Sequence, residues 1–237
     1  MTTTTEASST PTLTPGRVGH RIMPSWRRPP AETLEVFRPL SVPSVSDAQL
    51  GHGVLDAGLS ILVPPRTSPV GAALPVTITP GNGMMIRRAI ELAEPGDVLM
   101  VNGHGTSERA VLGGNVLMSA AAAGIVAVIV DGAVRDLDDA ERLGVGLVAR
   151  AVSPRSGTDQ LGAGEVGSVA AVGGVAVAAG DVVVIDQDGV VVVPAGDAAD
   201  VSARAAEVQR RKGSADNFDE RWAGARAARQ NRPAQGS

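Results

Sequence analysis

The stretch that most constrains this chain is residues 113–136, which read GGNVLMSAAAAGIVAVIVDGAVRD. Two glycines open it, an alanine-rich run typical of a helix follows, and Gly124 ends that run. The β-branched run at 125–130 predicts a buried strand, and DGAVRD closes the unit. The pattern therefore predicts a loop, a helix, a strand and a loop that bring a helix N-terminus close to Arg135 and Asp136.

This arrangement predicts a site for a small carboxylic acid held on a metal. A helix N-terminus presents unpaired N–H groups and partial positive charge, so it attracts anions. The guanidinium of Arg135 can pair with a carboxylate through two hydrogen bonds, and the carboxylate of Asp136 can bind a divalent cation. The spacing alone leaves a second interpretation open, in which the two residues form only an ion pair that fixes a loop to a helix start.

The composition indicates an α/β protein. The chain has 237 residues, 43% of them hydrophobic, which is enough for a sizeable core. Its only aromatic residues are Trp26, Phe37, Phe218 and Trp222, so the core must consist mainly of Val, Ala, Leu and Ile, and the many valines favour strands. Strands and helices alternate in the middle and strands cluster late, which predicts a compact, layered α/β domain.

Several function classes are disfavoured by what the chain lacks. The formal net charge of −4 gives no basic surface for nucleic acid. Cysteine is absent, which excludes thiolate chemistry, and the one lysine, Lys212, lies in a charged stretch that suits no Schiff-base enzyme. The N-terminal residues lack the apolar run of a signal peptide, and the longest apolar stretch is short for a membrane span. We therefore expect a cytoplasmic protein without nucleic-acid or membrane partners.

We expect three regions: a disordered N-terminal tail at 1–25, a single α/β catalytic domain at 26–212, and a C-terminal tail or inter-subunit arm at 213–237. Asp47 is predicted to cap a helix start, and residues 103–109 are predicted to form a polar loop. Helices are predicted at 32–40, 84–93, 137–143 and 198–211, and strands at 60–63, 71–79, 98–102, 145–150, 166–172, 174–178, 181–185 and 190–193.

The stretch at 113–136, with PGDVLMVNG before it and DVVVIDQDGVVVVP after it, resembles the superfamily of the regulator of ribonuclease activity A. That superfamily includes the metal-dependent 4-hydroxy-4-methyl-2-oxoglutarate aldolases, which also decarboxylate oxaloacetate. The resemblance covers roughly residues 43–194, and DGAVRD after an apolar strand is its most specific part. It implies a layered β-sandwich or barrel-like core flanked by helices, assembled as a homotrimer or homohexamer with sites between subunits.

The resemblance also implies roles for individual residues. Arg135 would bind the carboxylate of a small 2-keto acid, and Asp136 would ligate Mg²⁺ or Mn²⁺. Backbone amides at the helix start, from Asn115 and Val116 after Gly113 and Gly114, would hold the substrate. Cleavage of the substrate's C3–C4 bond would then leave a pyruvate enolate, whose charge the cation stabilises.

One position departs from the aldolase pattern. The aldolases carry an acidic residue 21 positions before the arginine, and here that position is Gly114. His104 and Glu108, in the preceding segment, are alternative candidates for proton handling, as is an acid such as Glu207 from a neighbouring subunit.

Two functions follow from the resemblance. The first is a metal-dependent carbon–carbon lyase that cleaves a small 2-keto acid, such as 4-hydroxy-4-methyl-2-oxoglutarate or oxaloacetate, to give pyruvate. The second is a non-catalytic regulator that binds a ribonuclease or another protein.

Overall fold

The computed structural model describes residues 19–66, 69–158, 160, 162–212, 222–223 and 226. The helices in this part of the chain are α1 Ala31–Glu35, α2 Val42–Ala48, α3 Met84–Ile90, α4 Gly114–Ala122, α5 Leu137–Leu143 and α6 Ala198–Lys212. The strands there are β1 His20–Ile22, β2 Ser60–Val63, β3 Val70–Ile78, β4 Asp97–Ala110, β5 Ala127–Val134, β6 Gly146–Val152, β7 Gly164–Val166, β8 Ala170–Val172, β9 Val175–Val177, β10 Val182–Asp186 and β11 Gly189–Val193.

The centre of the main sheet consists of four parallel strands in the order β3, β4, β5 and β6. Helices α3, α4 and α5 connect them in sequence, so the chain repeats a strand–helix–strand unit. Strand β5 is buried at every position, which explains its nearly continuous run of apolar residues. The predicted α/β fold class, with a sheet flanked by helices, is therefore confirmed.

Antiparallel strands complete the sheet on both sides. Strand β2 pairs with β6 at one edge, whereas β3 pairs with β7 along its C-terminal half and with β10 along its N-terminal half. A hairpin joins β10 to β11, with Asp186 paired to Gly189 across a two-residue turn. Strands β8 and β9 form a separate two-stranded ribbon.

Buried aliphatic side chains form three clusters. The first lies between the sheet and helices α3 and α4, and the second lies between the sheet and the β8–β9 ribbon. The third packs α2 and α6 against β10 and β11 around Phe37, the one fully buried aromatic side chain of the described residues. No helix among the described residues has the length and apolar character needed to cross a membrane.

Three local predictions were wrong, besides the strand predicted at 166–172, which is divided between β7 and β8. Residues 103–109 are not a loop: β4 continues to Ala110, because its backbone keeps pairing with β5 through two register shifts. Asp47 does not cap a helix start, because α2 begins earlier and Ser41 is its cap. The predicted tail at 1–25 extends too far, since β1 at His20–Ile22 pairs with β7; residues 1–18 lie outside the described residues.

Arg28 ties the N-terminal segment to the sheet. Its guanidinium donates two hydrogen bonds to Asp97, at 2.9 and 2.8 Å, and one to Glu94 at 2.9 Å. The Asp97 side chain is only 2% exposed, and these contacts raise the pKa of Arg28. The guanidinium also lies 5.2 Å from the ring centroid of Trp26. The segment that follows β1 is therefore anchored by a nearly buried carboxylate.

The predicted C-terminal tail at 213–237 lies almost entirely outside the described residues.

Candidate functional site

A cleft of about 300 Å³ opens at the carboxyl end of the parallel strands, where ligands commonly bind in α/β proteins. Arg135 and Asp136 follow β5 directly, and the start of α4 forms the adjoining wall. The cleft is lined by Arg87, Ala110, Val111, Leu112, Gly113, Gly114, Asn115, Val116, Arg135, Asp136, Asp139, Ser156 and Gly157. All six residues predicted to bind substrate or metal therefore line one cleft.

Asp136 connects the end of β5 to the start of α4. Its backbone is left-handed, with φ of 60° and ψ of 51°, and it immediately precedes α5. Aspartate tolerates this conformation better than most residues. Its Oδ2 accepts a 2.7 Å hydrogen bond from the backbone amide of Gly114, the first residue of α4. The predicted contact between a helix N-terminus and this carboxylate is therefore present.

Arg135 presents its guanidinium along the same wall. Its Nε lies 3.5 Å from Asp136 Oδ2, and one terminal nitrogen donates a 3.4 Å hydrogen bond to the carbonyl of Pro154. The side chain is 38% exposed, so a fork of donors remains accessible from the cleft. The ion pair between Arg135 and Asp136, which the sequence left open as an alternative, is thus present. Both side chains also line the cleft and are partly exposed to it.

The two glycines that open α4 make room for charged side chains. An idealised Cβ at Gly113 would lie 2.4 Å from Asp136 Oδ2 and 2.9 Å from Arg135 Nε. At Gly114, a Cβ would lie 2.0 Å from Oδ2 of Asp139 and 3.6 Å from Oδ2 of Asp136. Neither glycine has positive φ, so space rather than backbone conformation requires a glycine at each position.

Asp139 is the site residue that the sequence interpretation missed. It lies in the first turn of α5, three residues after Asp136, and its side chain is 32% exposed. Its carboxylate accepts a hydrogen bond from Arg142 and fills the volume next to the bare Cα of Gly114. An acidic group is therefore present beside position 114, although it comes from a different helix.

The amides of the α4 N-terminus are only partly available. The Gly114 amide already donates to Asp136, and the Val116 amide donates a 2.9 Å hydrogen bond to the carbonyl of Gly113. The Val116 side chain is buried in the core, whereas Asn115 is exposed at the cleft. Of the two amides predicted to hold a substrate, Asn115 is the better placed.

The two predicted proton-handling candidates lie elsewhere. His104 lines a separate cavity beside β1, and its Nε2 lies 2.9 Å from the carbonyl of Ile78. Glu108 is exposed on β4 and does not line the cleft; its carbonyl oxygen accepts a 2.7 Å hydrogen bond from Ser153. The extension of β4 carries both residues away from the cleft. Glu207 forms hydrogen bonds with Arg210 and Arg211, which lower its pKa.

The carboxylates of Asp136 and Asp139 fit a hard divalent cation. Both are oxygen donors facing the small volume beside Gly114. Within the described ranges, no group of three or more His, Cys, Asp or Glu side chains is arranged to hold a metal ion. Mg²⁺ does not need such a group, because it usually keeps several waters and binds through one or two carboxylates together with substrate oxygens. The donor set therefore suits Mg²⁺ or Mn²⁺ and not a thiolate-bound or multi-histidine metal.

Comparison with known proteins identifies the family. Residues 42–192 match the family model described as RraA-like, Aldolase/RraA. The chain belongs to the Aldolase/RraA family. A relative from Halalkalibacterium halodurans named "Putative 4-hydroxy-4-methyl-2-oxoglutarate aldolase" is 31% identical over 141 residues, which are 60% of this chain and 66% of that protein. The chain spans between about half and just under two-thirds of the length of the curated relatives first matched.

Two solved structures titled as RraA proteins share the fold. Streptomyces coelicolor RraAS2, titled an unusual member of the RNase ES inhibitor RraA protein family, superimposes with a TM-score of 0.70 and 26% identity, over 79% of this chain and 97% of that one. The structure titled RNA-processing inhibitor RraA from Thermus thermophilis superimposes with a TM-score of 0.59 and 29% identity, over 65% and 92% of the two chains.

Proposed function

We propose that this protein is a divalent-metal-dependent carbon–carbon lyase that cleaves a small 2-keto acid, such as oxaloacetate or 4-hydroxy-4-methyl-2-oxoglutarate, to pyruvate. The observation that carries the proposal is the convergence of Arg135, Asp136 and Asp139 on one cleft at the start of α4. Membership of the Aldolase/RraA family and the name of the aldolase relative support it.

Each residue has a role that follows from its chemistry. The half-exposed guanidinium of Arg135 binds and orients the carboxylate next to the keto group. Asp136 would hold Mg²⁺ or Mn²⁺. When bound, such a cation acts as a Lewis acid on the negative charge that develops as the bond breaks. The backbone amide of Asn115, at the exposed start of α4, would donate to the same anion.

Asp139 takes the place of the acid that position 114 lacks. In decarboxylation the C3–C4 bond breaks and CO₂ leaves. The electron pair of the broken bond stays on C3, which must then receive a proton. The carboxylate of Asp139 lies where a side chain from Gly114 would lie, so we assign it the handling of that proton. His104 and Glu108 have no part in this assignment, because neither lines the cleft.

The test is a coupled assay of pyruvate release from oxaloacetate in the presence of Mg²⁺. We expect turnover that is lost in Asp136→Ala and reduced in Asp139→Asn. Asp138→Asn is the matched control, because Asp138 is exposed on the same turn of α5 but does not line the cleft. Equal effects of Asp138→Asn and Asp139→Asn would contradict the assignment of Asp139.

The alternative is a non-catalytic regulator that binds a ribonuclease or another protein. The likeness to two structures titled as RraA inhibitors favours it. The absence of turnover on oxaloacetate and on 4-hydroxy-4-methyl-2-oxoglutarate, together with inhibition of a purified ribonuclease, would support the regulator and refute the lyase.

A further inference from the structure

The guanidinium of Arg135 contacts a carbonyl in the turn that follows β6. One terminal nitrogen donates a 3.4 Å hydrogen bond to the carbonyl of Pro154, and the Nε lies 3.5 Å from Asp136 Oδ2. Ser153 precedes this proline and does not itself line the cleft. We propose that Ser153 is a positioning residue, whose hydroxyl fixes the Pro154 carbonyl and thereby the direction in which Arg135 presents its donors. The consequence for catalysis rests on the proposed function, whereas the positioning of Arg135 does not.

Ser153 is a buried polar residue, only 8% exposed, and its hydroxyl makes two hydrogen bonds. The Oγ donates to the carbonyl of Glu108 at 2.7 Å and accepts from the backbone amide of Arg155 at 3.3 Å. A serine that accepts from the amide two residues later stabilises a turn. The bond to Glu108 joins this turn to β4, and the Ser153 amide joins it to β5 through the carbonyl of Val134 at 3.0 Å. The hydroxyl therefore holds both the shape of the turn and its place on the sheet.

Beyond the turn, the chain runs beside the end of β4 and forms part of the cleft wall. The amide of Ala110 donates to the carbonyl of Arg155 at 2.8 Å, and the carbonyl of Ala110 accepts from the amide of Gly157 at 2.8 Å. These bonds do not involve the Ser153 hydroxyl, so this wall should stay in place when the hydroxyl is removed. The effect of its removal is then concentrated on the Pro154 carbonyl, which lies between the two hydrogen-bonded parts.

The orientation of Arg135 matters because its side chain is long and 38% exposed. Such a side chain has many rotamers, and fixing one of them on binding a ligand costs entropy. A backbone carbonyl that accepts one N–H sets the plane of the guanidinium, and with it the direction of the remaining donors. Arg135 is then partly ordered before a carboxylate arrives. Loss of the Ser153 hydroxyl should weaken carboxylate binding, although this hydroxyl does not line the cleft.

The first experiment measures the order of the Arg135 side chain in the ligand-free protein. Nitrogen-15 NMR relaxation gives the order parameter of its Nε–H bond. We expect this order parameter to fall in Ser153→Ala and also in Ser153→Cys, because a thiol occupies similar space but is a weak donor. Ser44→Ala is the matched control, since Ser44 is 1% exposed, accepts a 2.9 Å hydrogen bond from Ser41 and lies in α2, away from the cleft. An unchanged order parameter in both Ser153 variants, or an equal fall in Ser44→Ala, would overturn the proposal.

The second experiment is a double-mutant cycle with Arg135. Calorimetry on the Mg²⁺-loaded protein should show that Ser153→Ala weakens pyruvate binding about twofold to tenfold. In the Arg135→Gln background, Ser153→Ala should weaken binding no further, because Ser153 acts through the guanidinium. An equal additional loss in that background would contradict the proposal.

Turnover separates this role from the reaction itself. We expect Ser153→Ala to raise the KM for oxaloacetate by a similar factor, with a smaller change in kcat, because Arg135 binds the carboxylate in both the ground state and the transition state. A protein that turns over no keto acid, but whose Arg135 loses order in Ser153→Ala, would refute the lyase and support the positioning role.

Discussion

The carboxylate of Asp139 lies in the space that a side chain at Gly114 would occupy: an idealised Cβ at Gly114 would lie 2.0 Å from Asp139 Oδ2. The two residues are 25 positions apart in the chain and belong to different helices. Their approach explains why the first residue of α4 is a glycine, and it places an acid beside the Arg135–Asp136 pair.

This relationship predicts that Gly114→Ala impairs function more than stability. The new methyl group would displace the Asp139 carboxylate, but that carboxylate is the end of a flexible side chain, and alanine is favourable in a helix. We expect kcat for oxaloacetate decarboxylation to fall about tenfold to a hundredfold. The free energy of unfolding should change by less than about 1 kcal/mol. A large loss of stability with normal kcat in the folded fraction would contradict this account.

The same relationship predicts that position 114 can supply the carboxylate in place of Asp139. Asp139→Ala removes the carboxylate and opens space beside position 114, and Gly114→Asp then supplies a carboxylate from α4. We expect the double variant Gly114→Asp/Asp139→Ala to recover a substantial part of the kcat that Asp139→Ala loses. The single variant Gly114→Asp should be impaired, since two carboxylates would compete for one volume. Steady-state kinetics of the three variants provides the measurement.

Asp136 should control metal affinity. Asp136→Asn removes the negative charge, while asparagine tolerates the left-handed backbone and its amide oxygen can still accept the hydrogen bond from Gly114. We expect Mn²⁺ to bind at least about tenfold more weakly, measured by calorimetry or by electron paramagnetic resonance. Asp138→Asn is the control and should bind Mn²⁺ as the wild type does. Unchanged Mn²⁺ affinity in Asp136→Asn would argue against a metal at this carboxylate.

Arg28 should contribute to stability through Asp97. Arg28→Met would leave a carboxylate that is only 2% exposed without its charged partner, retaining the amide of Glu94 as a donor at 2.9 Å. We expect the free energy of unfolding in urea to fall by about 2–4 kcal/mol. Arg27→Met is the control, because Arg27 is exposed, and it should change stability by less than about 0.5 kcal/mol. Similar losses in both variants would indicate that the charge pair is not the cause.

Asp56 should make stability depend on acid pH. Its backbone hydrogen bond from Gly58 and its contact with Arg150 lower the pKa of Asp56 in the folded state. A lowered pKa means that the contribution is fully present above the unfolded value, about 3.9, and is lost as the pH falls through the folded value. We expect Asp56→Asn to be less stable than the wild type at pH 7. The difference should shrink below about pH 4, and a difference that persists unchanged at pH 3 would contradict this cause.

Much of the fold was predictable because local signals agreed with packing. Helix α5 begins and ends where predicted, since Gly144 ends it in the left-handed conformation that glycine favours. The valine-rich strands β5, β10 and β11 were identified because buried strands require continuous apolar runs. The extension of β4 through residues 103–110 was missed, because backbone pairing with β5 holds a polar segment that has no strand-like side-chain pattern.

The candidate site was partly predictable, because several of its residues lie close together in the sequence. Gly113, Gly114, Arg135 and Asp136 belong to one local unit, and the structure brings them together in one cleft. The positions of Arg87 and Asp139 depend on how α3 and α5 pack beside α4, which no local pattern encodes. His104 and Glu108 were candidates because they are near in sequence, whereas the path of β4 separates them from the cleft.

The glycine at position 114 also affects how related chains should be compared. Because α4 and α5 direct side chains into the same volume, a negative charge can be supplied from either helix without any change in where the charge lies. A position-by-position comparison would record a missing acid at position 114, although the carboxylate of Asp139 lies beside that position. For proteins that share this fold, functional side chains are better compared by their positions in the superimposed structures than by aligned residue number.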